Sequence, residues 1–257
     1  MSQASTGYAP VNGLKMYYEV HGSGPGRPLV LLHGGVLTIE LSFGAMLPEL
    51  AAGRQVIVTE LQGHGRTADI DRDMSMAAFA GDVAGLLGHL GVTQGGQADV
   101  FGFSLGAGVA LQLALDYPEL VGRLIAASVG YSPDGTHAEI SDPARWATST
   151  RMPTAGDFEQ MREAYQRVAP DPGHFEAFRA RTGQAAGRMS WTAAELGRIS
   201  APTLLIFGDH DFIRLEHAVE MSGLISGAQL AVLPGATHMG VLRRPDLMIP
   251  LVRGFLG

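Results

Sequence analysis

The stretch Ala98–Tyr117, Ala-Asp-Val-Phe-Gly-Phe-Ser-Leu-Gly-Ala-Gly-Val-Ala-Leu-Gln-Leu-Ala-Leu-Asp-Tyr, constrains this chain more than any other. A short apolar run, Val100 to Phe103, leads into Gly102-Phe103-Ser104-Leu105-Gly106, and a helix-compatible run follows at once. Pro118 ends that run, because residues before proline avoid helical geometry. The pattern predicts a strand, a sharp turn and a helix, with a serine at the tip. In such a turn strand and helix nearly touch, so the residues flanking the serine must be small. Gly102 and Gly106 meet that demand, and Ala107 and Gly108 keep the first helical turn thin. The Ser104 hydroxyl is then expected to project from the carboxyl end of a sheet. The Leu105 amide, at the helix start, would face developing negative charge. In a chain with 35 glycines the pattern gains its meaning from context.

That context is an alternation of elements. Residues 8 to 20 predict two strands about a turn at Asn12-Gly13. Gly22 to Gly26 reads as a turn: no Lys-Ser or Lys-Thr pair follows it, as a phosphate loop would need. Leu29 to Leu32 is a continuous apolar run, expected of a parallel strand buried on both faces, and it ends in His33-Gly34-Gly35-Val36. A helix from Phe43 to Ala52, a strand from Gln55 to Leu61, and the loop Gln62-Gly63-His64-Gly65-Arg66 come next. Ser75 is a candidate N-cap for a helix reaching Leu90, and Leu120 to Ser128 predicts a strand. Asp69, Asp71 and Asp73 alternate like a calcium loop, but Met74 and Ala80 stand where glycine and glutamate are needed.

From Tyr131 to Arg198 no strand-like run is found, and five prolines break short helical stretches. Alternation resumes at Pro202. A strand to Gly208, a helix from Leu215 to Ile225, a strand from Gln229 to Leu233, a loop to His238 and a terminal helix to Leu256 complete the reading. Strands separated by helices imply an α/β fold, with a mostly parallel, doubly wound sheet and helices on both faces. The expected organisation is a core of residues 1–130 and 199–257, with 131–198 inserted as a small helical cap.

Composition narrows the function. A net charge of −7 without a basic cluster argues against nucleic acid and anionic membranes. The absence of cysteine removes disulfides, thiolate catalysis and thiolate-bound zinc. No signal-like start or bilayer-length apolar run is visible, so a cytoplasmic location is expected, and a homodimer is compatible with the sequence.

Ligands of a doubly wound sheet bind outside the carboxyl ends of its strands, where the loops of Gly35, Ser104, Asp211 and His238 fall. A serine hydroxyl needs a base to become a nucleophile, normally an imidazole oriented by a carboxylate. Downstream of Ser104, Gly208-Asp209-His210-Asp211 follows one predicted strand and Ala236-Thr237-His238-Met239-Gly240 the next. Asp209 and Asp211 compete for the acid position. Asp209, His210, Asp211, Glu216 and His217 match no standard metal spacing.

Over nearly its whole length the chain resembles the α/β-hydrolase fold superfamily, in the branch of single-domain bacterial serine esterases and cofactor-free hydrolases. The resemblance rests on His33-Gly34-Gly35, Gly63-His64-Gly65-Arg66, the Gly102–Gly106 turn, Gly208–Asp211 and the His238 loop, in that order. One departure is Thr237, where the family often has glycine before its histidine. The resemblance implies Ser104 as nucleophile, Asp211 as orienting acid and His238 as base. It also implies an oxyanion hole from the amides of Leu105 and of Gly35 or Val36, and no metal or organic cofactor. Val36, Phe103, Trp146, Phe212 and Met239 are candidates for substrate contact. Within 131–198, Met152, Phe158, Phe175, Phe178 and Trp191 could line a pocket or pack the insertion down. His33 and His64 are expected to order their loops, and His21, His89, His137 and His174 to lie on the surface. The expected activity is hydrolysis of small to medium carboxylic esters with an apolar acyl group. Carbon–carbon or lactone hydrolysis and peracid formation are alternatives on the same residues, and a non-catalytic ligand-binding protein is a remoter one.

Overall fold

Asn12 and Gly13 both adopt positive φ, 47° and 85°, as a two-residue hairpin turn requires, and fold Ser5–Val11 onto Leu14–His21. In the computed structural model, which describes residues 4–257, these strands (β1, β2) begin an eight-stranded sheet. The others are Leu29–Leu32, Val56–Thr59, Ala98–Phe103, Val121–Ala127, Thr203–His210 and Gln229–Thr237, β3 to β8. Their order is β1-β2-β4-β3-β5-β6-β7-β8, antiparallel through β1, β2 and β4 and parallel from β4 onward.

The parallel strands are apolar on both sides, and alternation assigns each side chain to a layer. Val30, Leu32, Val100, Leu124, Ala126, Leu205 and Phe207 belong to one buried cluster, with the helices Met76–His89 and Leu105–Asp116. Leu29, Leu31, Val56, Val58, Phe101, Phe103, Ile125, Ala127 and Ile206 belong to the other, with the terminal helix Pro245–Leu256. At roughly 1.5–3 kcal/mol per buried large aliphatic side chain, these two layers hold the sheet.

Two readings need correction. The single helix expected over residues 43–52 is replaced by two short ones, Ile39–Phe43 and Leu47–Leu50, because Pro48 cannot continue a helix through Gly44: its ring would clash with that carbonyl. β8 runs on to Thr237 rather than stopping at Leu233, past an irregular register between Gly208 and His210.

Between β6 and β7 the described residues contain helices and no strand, chiefly Ala155–Val168 and Phe175–Gly187, with one isolated antiparallel bridge from Thr136 to Ile213. No helix among the described residues is long and apolar enough to cross a membrane. The chain leaves β3 for β4 on one side, and β5 lies on the other. A crevice therefore opens between the loops after β3 and β5, the position such sheets use for ligands.

Candidate active site

Ser104 follows β5 with φ 52° and ψ −116°, a backbone state that side-chain-bearing residues rarely adopt. Its N–H donates to Ala127 O (2.8 Å), and its carbonyl accepts from Ala107 and Gly108. The flanking glycines are obligatory. A Cβ on Gly102 would lie 2.2 Å from Gly106 O, and one on Gly106 2.1 Å from Leu32 O.

Two further loops converge on the hydroxyl. Thr237 caps the short helix His238–Leu242, and the first residue of that helix places its Nε2 3.0 Å from Ser104 Oγ. His238 Nδ1 lies 2.7 Å from Asp211 Oδ1. This arrangement suits one tautomer: Nδ1–H donates to the carboxylate, and Nε2 accepts from the serine hydroxyl. Phe212 stacks on the imidazole at 3.9 Å, and Phe103 lies at 5.0 Å. Of the two competing acids, Asp211 reaches His238. Asp209 instead accepts from the Gly235 and Ala236 amides at 2.9 and 3.0 Å, tying the end of β7 to β8.

Asp211 is fully buried and would be pushed toward the neutral acid by burial alone. The facing His238, the Ser128 hydroxyl (2.6 Å) and the Gly208 amide (3.3 Å) outweigh this and hold the carboxyl below its ordinary range. Phe212 N–H adds a further donor at 2.6 Å. Ser128 was missed by sequence reasoning. The legible signal is a lone hydroxyl ending the apolar run of β6, level with the other strand ends.

The loop after β3 is set by two buried histidines. His33 Nδ1–H donates to Gly34 O (2.8 Å), while Nε2 accepts from Leu61 N–H (3.0 Å). His64 Nδ1–H donates to Gln62 O (3.0 Å), while Nε2 accepts from Val36 N–H (3.1 Å). His64 thus orders the Val36 loop as well as its own turn, and holds Val36 at φ 64°. Burial pushes His33 down to about 4, against the Gly34 hydrogen bond; burial and the neighbouring His33 push His64 down as well. Both rings therefore stay neutral acceptors at pH 7. The Val36 amide donates to His64, whereas the Gly35 and Leu105 amides have no acceptor among the described residues. The two residues are adjacent: a Cβ on Gly35 would sit 3.6 Å from Leu105 Cβ.

Ser104 and His238 line a mainly apolar cavity of about 270 Å³. Val36, Phe103, Trp146, Phe212 and Met239 all line it, as do Met152 and Phe158. Phe175, Phe178 and Trp191 do not. The two phenylalanines pack with Tyr165, and the Trp191 indole N–H donates to Gln112. Of the histidines expected at the surface, His89 is exposed, while His21, His137 and His174 are half-buried. His21 and His174 are so because they pair with Glu19 and Asp69. A larger polar cleft of about 800 Å³ lies at the amino ends of β3 and β5 and contains none of these groups.

Comparison with known proteins agrees with this architecture. The profile of the alpha/beta hydrolase family matches residues 29–251. The 2-hydroxymuconate semialdehyde hydrolase of Pseudomonas sp. (strain CF600) is 29% identical over 258 residues, covering 93% of this chain and 89% of that one. The pyrrolizixenacetamide deacetylase of Xenorhabdus hominickii is 27% identical over 262 residues, covering 96% of each. A bacterial membrane phospholipase A superposes with a TM-score of 0.82 at 22% identity, covering 98% of this chain and 86% of that one, a likeness of fold.

Proposed function

This chain belongs to the alpha/beta hydrolase family, and from that premise we propose that it is a serine hydrolase cleaving carboxylic esters of small to medium size. The observation that carries the reading is the hydrogen-bonded line Ser104–His238–Asp211, ending beside two amides without acceptors. Ser104 Oγ attacks the acyl carbon as His238 Nε2 takes its proton, and Asp211 stabilises the imidazolium that forms. The carbonyl oxygen gains negative charge against the Gly35 and Leu105 amides. His238 then protonates the leaving alcohol, and afterwards takes a proton from the water that releases the acyl group. The scheme uses no metal or organic cofactor. Residues 131–198 serve as a cap, since Trp146, Met152 and Phe158 supply one wall of a cavity suited to an apolar acyl chain.

The likeness to 2-hydroxymuconate semialdehyde hydrolase favours a second reading on the same residues. A semialdehyde contains no ester bond, so hydrolysis of such a compound breaks a carbon–carbon bond. The deacetylase relative favours acyl transfer to water, as the first reading does.

The test is turnover of p-nitrophenyl esters of increasing acyl length, with 2-hydroxymuconate semialdehyde beside them, by wild type and Ser104→Ala. The expected result is ester turnover that falls by about 10³-fold or more in the variant. Turnover of the semialdehyde alone would replace the first reading by the second. Saturable binding without turnover, unchanged in Ser104→Ala and with no labelling of Ser104 by a fluorophosphonate, would make the protein a binding module.

A further inference from the structure

Three buried side-chain atoms lack a hydrogen-bond partner among the described residues: Ser42 Oγ, Asp99 Oδ1 and Thr182 Oγ1. Of these residues, Thr182 alone lines the cavity that holds Ser104. It sits inside the Phe175–Gly187 helix and is 2% exposed, yet its hydroxyl does not bond back to a carbonyl of its own helix. Buried hydroxyls are satisfied in the great majority of cases, and an isolated one destabilises the fold that keeps it. The surroundings of Thr182 tell what the hydroxyl is kept for. A Cβ built on Gly35 would meet Thr182 Cγ2 at 3.2 Å and the Leu105 side chain at 3.6 Å. The Thr182 methyl therefore packs against Gly35, on the side where Leu105 also meets that loop, so the unpartnered Thr182 hydroxyl sits on the same helical turn over the Gly35 end of the cavity.

We propose that the Thr182 hydroxyl donates a hydrogen bond to the bound substrate at the oxyanion end of the cavity, making it a third donor beside the Gly35 and Leu105 amides. The partner is an oxygen of the acyl group, either the reacting carbonyl oxygen or an oxygen on the next carbon. The inference rests on the serine-hydrolase reading and gives the helical insertion a part in the chemistry besides shaping the cavity. A hydroxyl suits this position because it rotates toward whichever acceptor arrives, whereas the amides are fixed by the fold.

Thr182→Val keeps the shape and removes the hydroxyl; Thr182→Ser keeps the hydroxyl. Each is compared with wild type in the rate of Ser104 labelling by a fluorophosphonate, in which an Oγ–P bond forms, fluoride leaves and the serine proton passes to His238. Each is also assayed with p-nitrophenyl butyrate and p-nitrophenyl 2-methoxyacetate. Thr182→Val is expected to melt higher by roughly 2–4 °C, having lost an unsatisfied group, so lost activity cannot be blamed on misfolding. Labelling and kcat on both esters should fall about tenfold or more in Thr182→Val and recover in Thr182→Ser if the partner is the carbonyl oxygen. A fall confined to the methoxyacetate assigns the neighbouring oxygen. Unchanged labelling and unchanged kcat on both esters in Thr182→Val would overturn the proposal while leaving the serine mechanism standing. No labelling of the wild type would remove that mechanism and this inference with it.

Discussion

The carboxyl edge of the sheet and the helical segment 131–198 face each other across one cavity, and they are built by opposite means. At the sheet edge, Val36 in the loop after β3, and Ser104 and Ser128 directly after β5 and β6, have φ of 64°, 52° and 58°; the fourth non-glycine residue with positive φ among the described residues, Asn12, lies in the hairpin turn. Each such conformation costs of order 1–3 kcal/mol and persists only where its surroundings over-determine it. Here they do: Val36 N–H is held by His64, Ser104 N–H by Ala127 O, and Ser128 N–H by Ile206 O. The facing segment is held by ordinary packing, with Tyr165, Phe178, Trp191 and Leu196 in one buried cluster and Met161 in the other, and by ion pairs at its rim such as the exposed Arg188–Asp73 and Arg167–Glu40. Exposed pairs of this kind contribute about 0–1 kcal/mol each. The difference teaches a division of labour. On the proposed reading the strained edge would hold the reacting atoms, so substitutions there should cost rate, and the segment would shape the acyl site, so most substitutions there should change preference.

The largest expected effect separates two aspartates two residues apart. Asp211→Asn should lower kcat by about 10³–10⁴-fold, because an amide no longer favours the tautomer that leaves Nε2 free to accept from Ser104. Asp209→Asn should leave kcat within about threefold of wild type, because its bonds go to the Gly235 and Ala236 amides. Steady-state kinetics on one short ester decide it. Equal losses in both variants would mean that the loop acts as one unit and that the geometry at His238 does not single out Asp211.

This asymmetry also measures what the sequence disclosed. Ser104, Asp211 and His238 were legible because each follows an apolar strand run at the same edge of a parallel sheet, and the glycines at 102 and 106 have no other use. The break in the sheet between β6 and β7 was legible because strand-like runs stop at residue 128 and resume at Pro202. Pro48 was visible as a helix breaker, yet the apolar pattern around it masked the break. The Ser128–Asp211 bond, the His64–Val36 bond and the role of Thr182 were not legible. Their partners lie 83 residues away, 28 residues away and nowhere in the described chain. No local propensity encodes such pairings.

A smaller effect tests whether the edge is as rigid as its buried histidines suggest. The folded value of His33, about 4, lies below the ordinary 6.5, so as pH falls below 6.5 the unfolded chain takes up this proton before the folded one does. Stability from this group is therefore complete above about pH 6.5, declines toward pH 4 and levels off below that. At pH 5 the loss should be about 2 kcal/mol, with His64 adding in the same sense. His33→Gln can still donate to Gly34 O and accept from Leu61 N–H without acquiring charge. Urea unfolding at pH 7 and pH 5 should show a drop about 2 kcal/mol smaller in the variant than in wild type. An identical drop in both would mean that water reaches this loop before the protein unfolds.

The smallest effect lies on the other side of the cavity. Trp146 and Phe158 are large apolar residues left 41% and 39% exposed, and both line the cavity that holds Ser104. Folding alone withdraws only about three-fifths of their area from water, less than for a core aromatic, so Trp146→Ala and Phe158→Ala should lower Tm by only about 2–4 °C. On the proposed reading, what they withdraw from water is the acyl chain of the substrate. Each added methylene that reaches them is worth roughly 0.8 kcal/mol if fully buried, or about fourfold in binding. The variants should therefore lose the rise in kcat/KM with acyl length, while kcat on the acetate ester stays within about threefold. Hundredfold losses on acetate would break the division of labour, because they would place these aromatic groups in the positioning of Ser104 or His238. A length profile that flattens without such a loss would show the segment to be a wall whose shape can change while the edge beneath it does not.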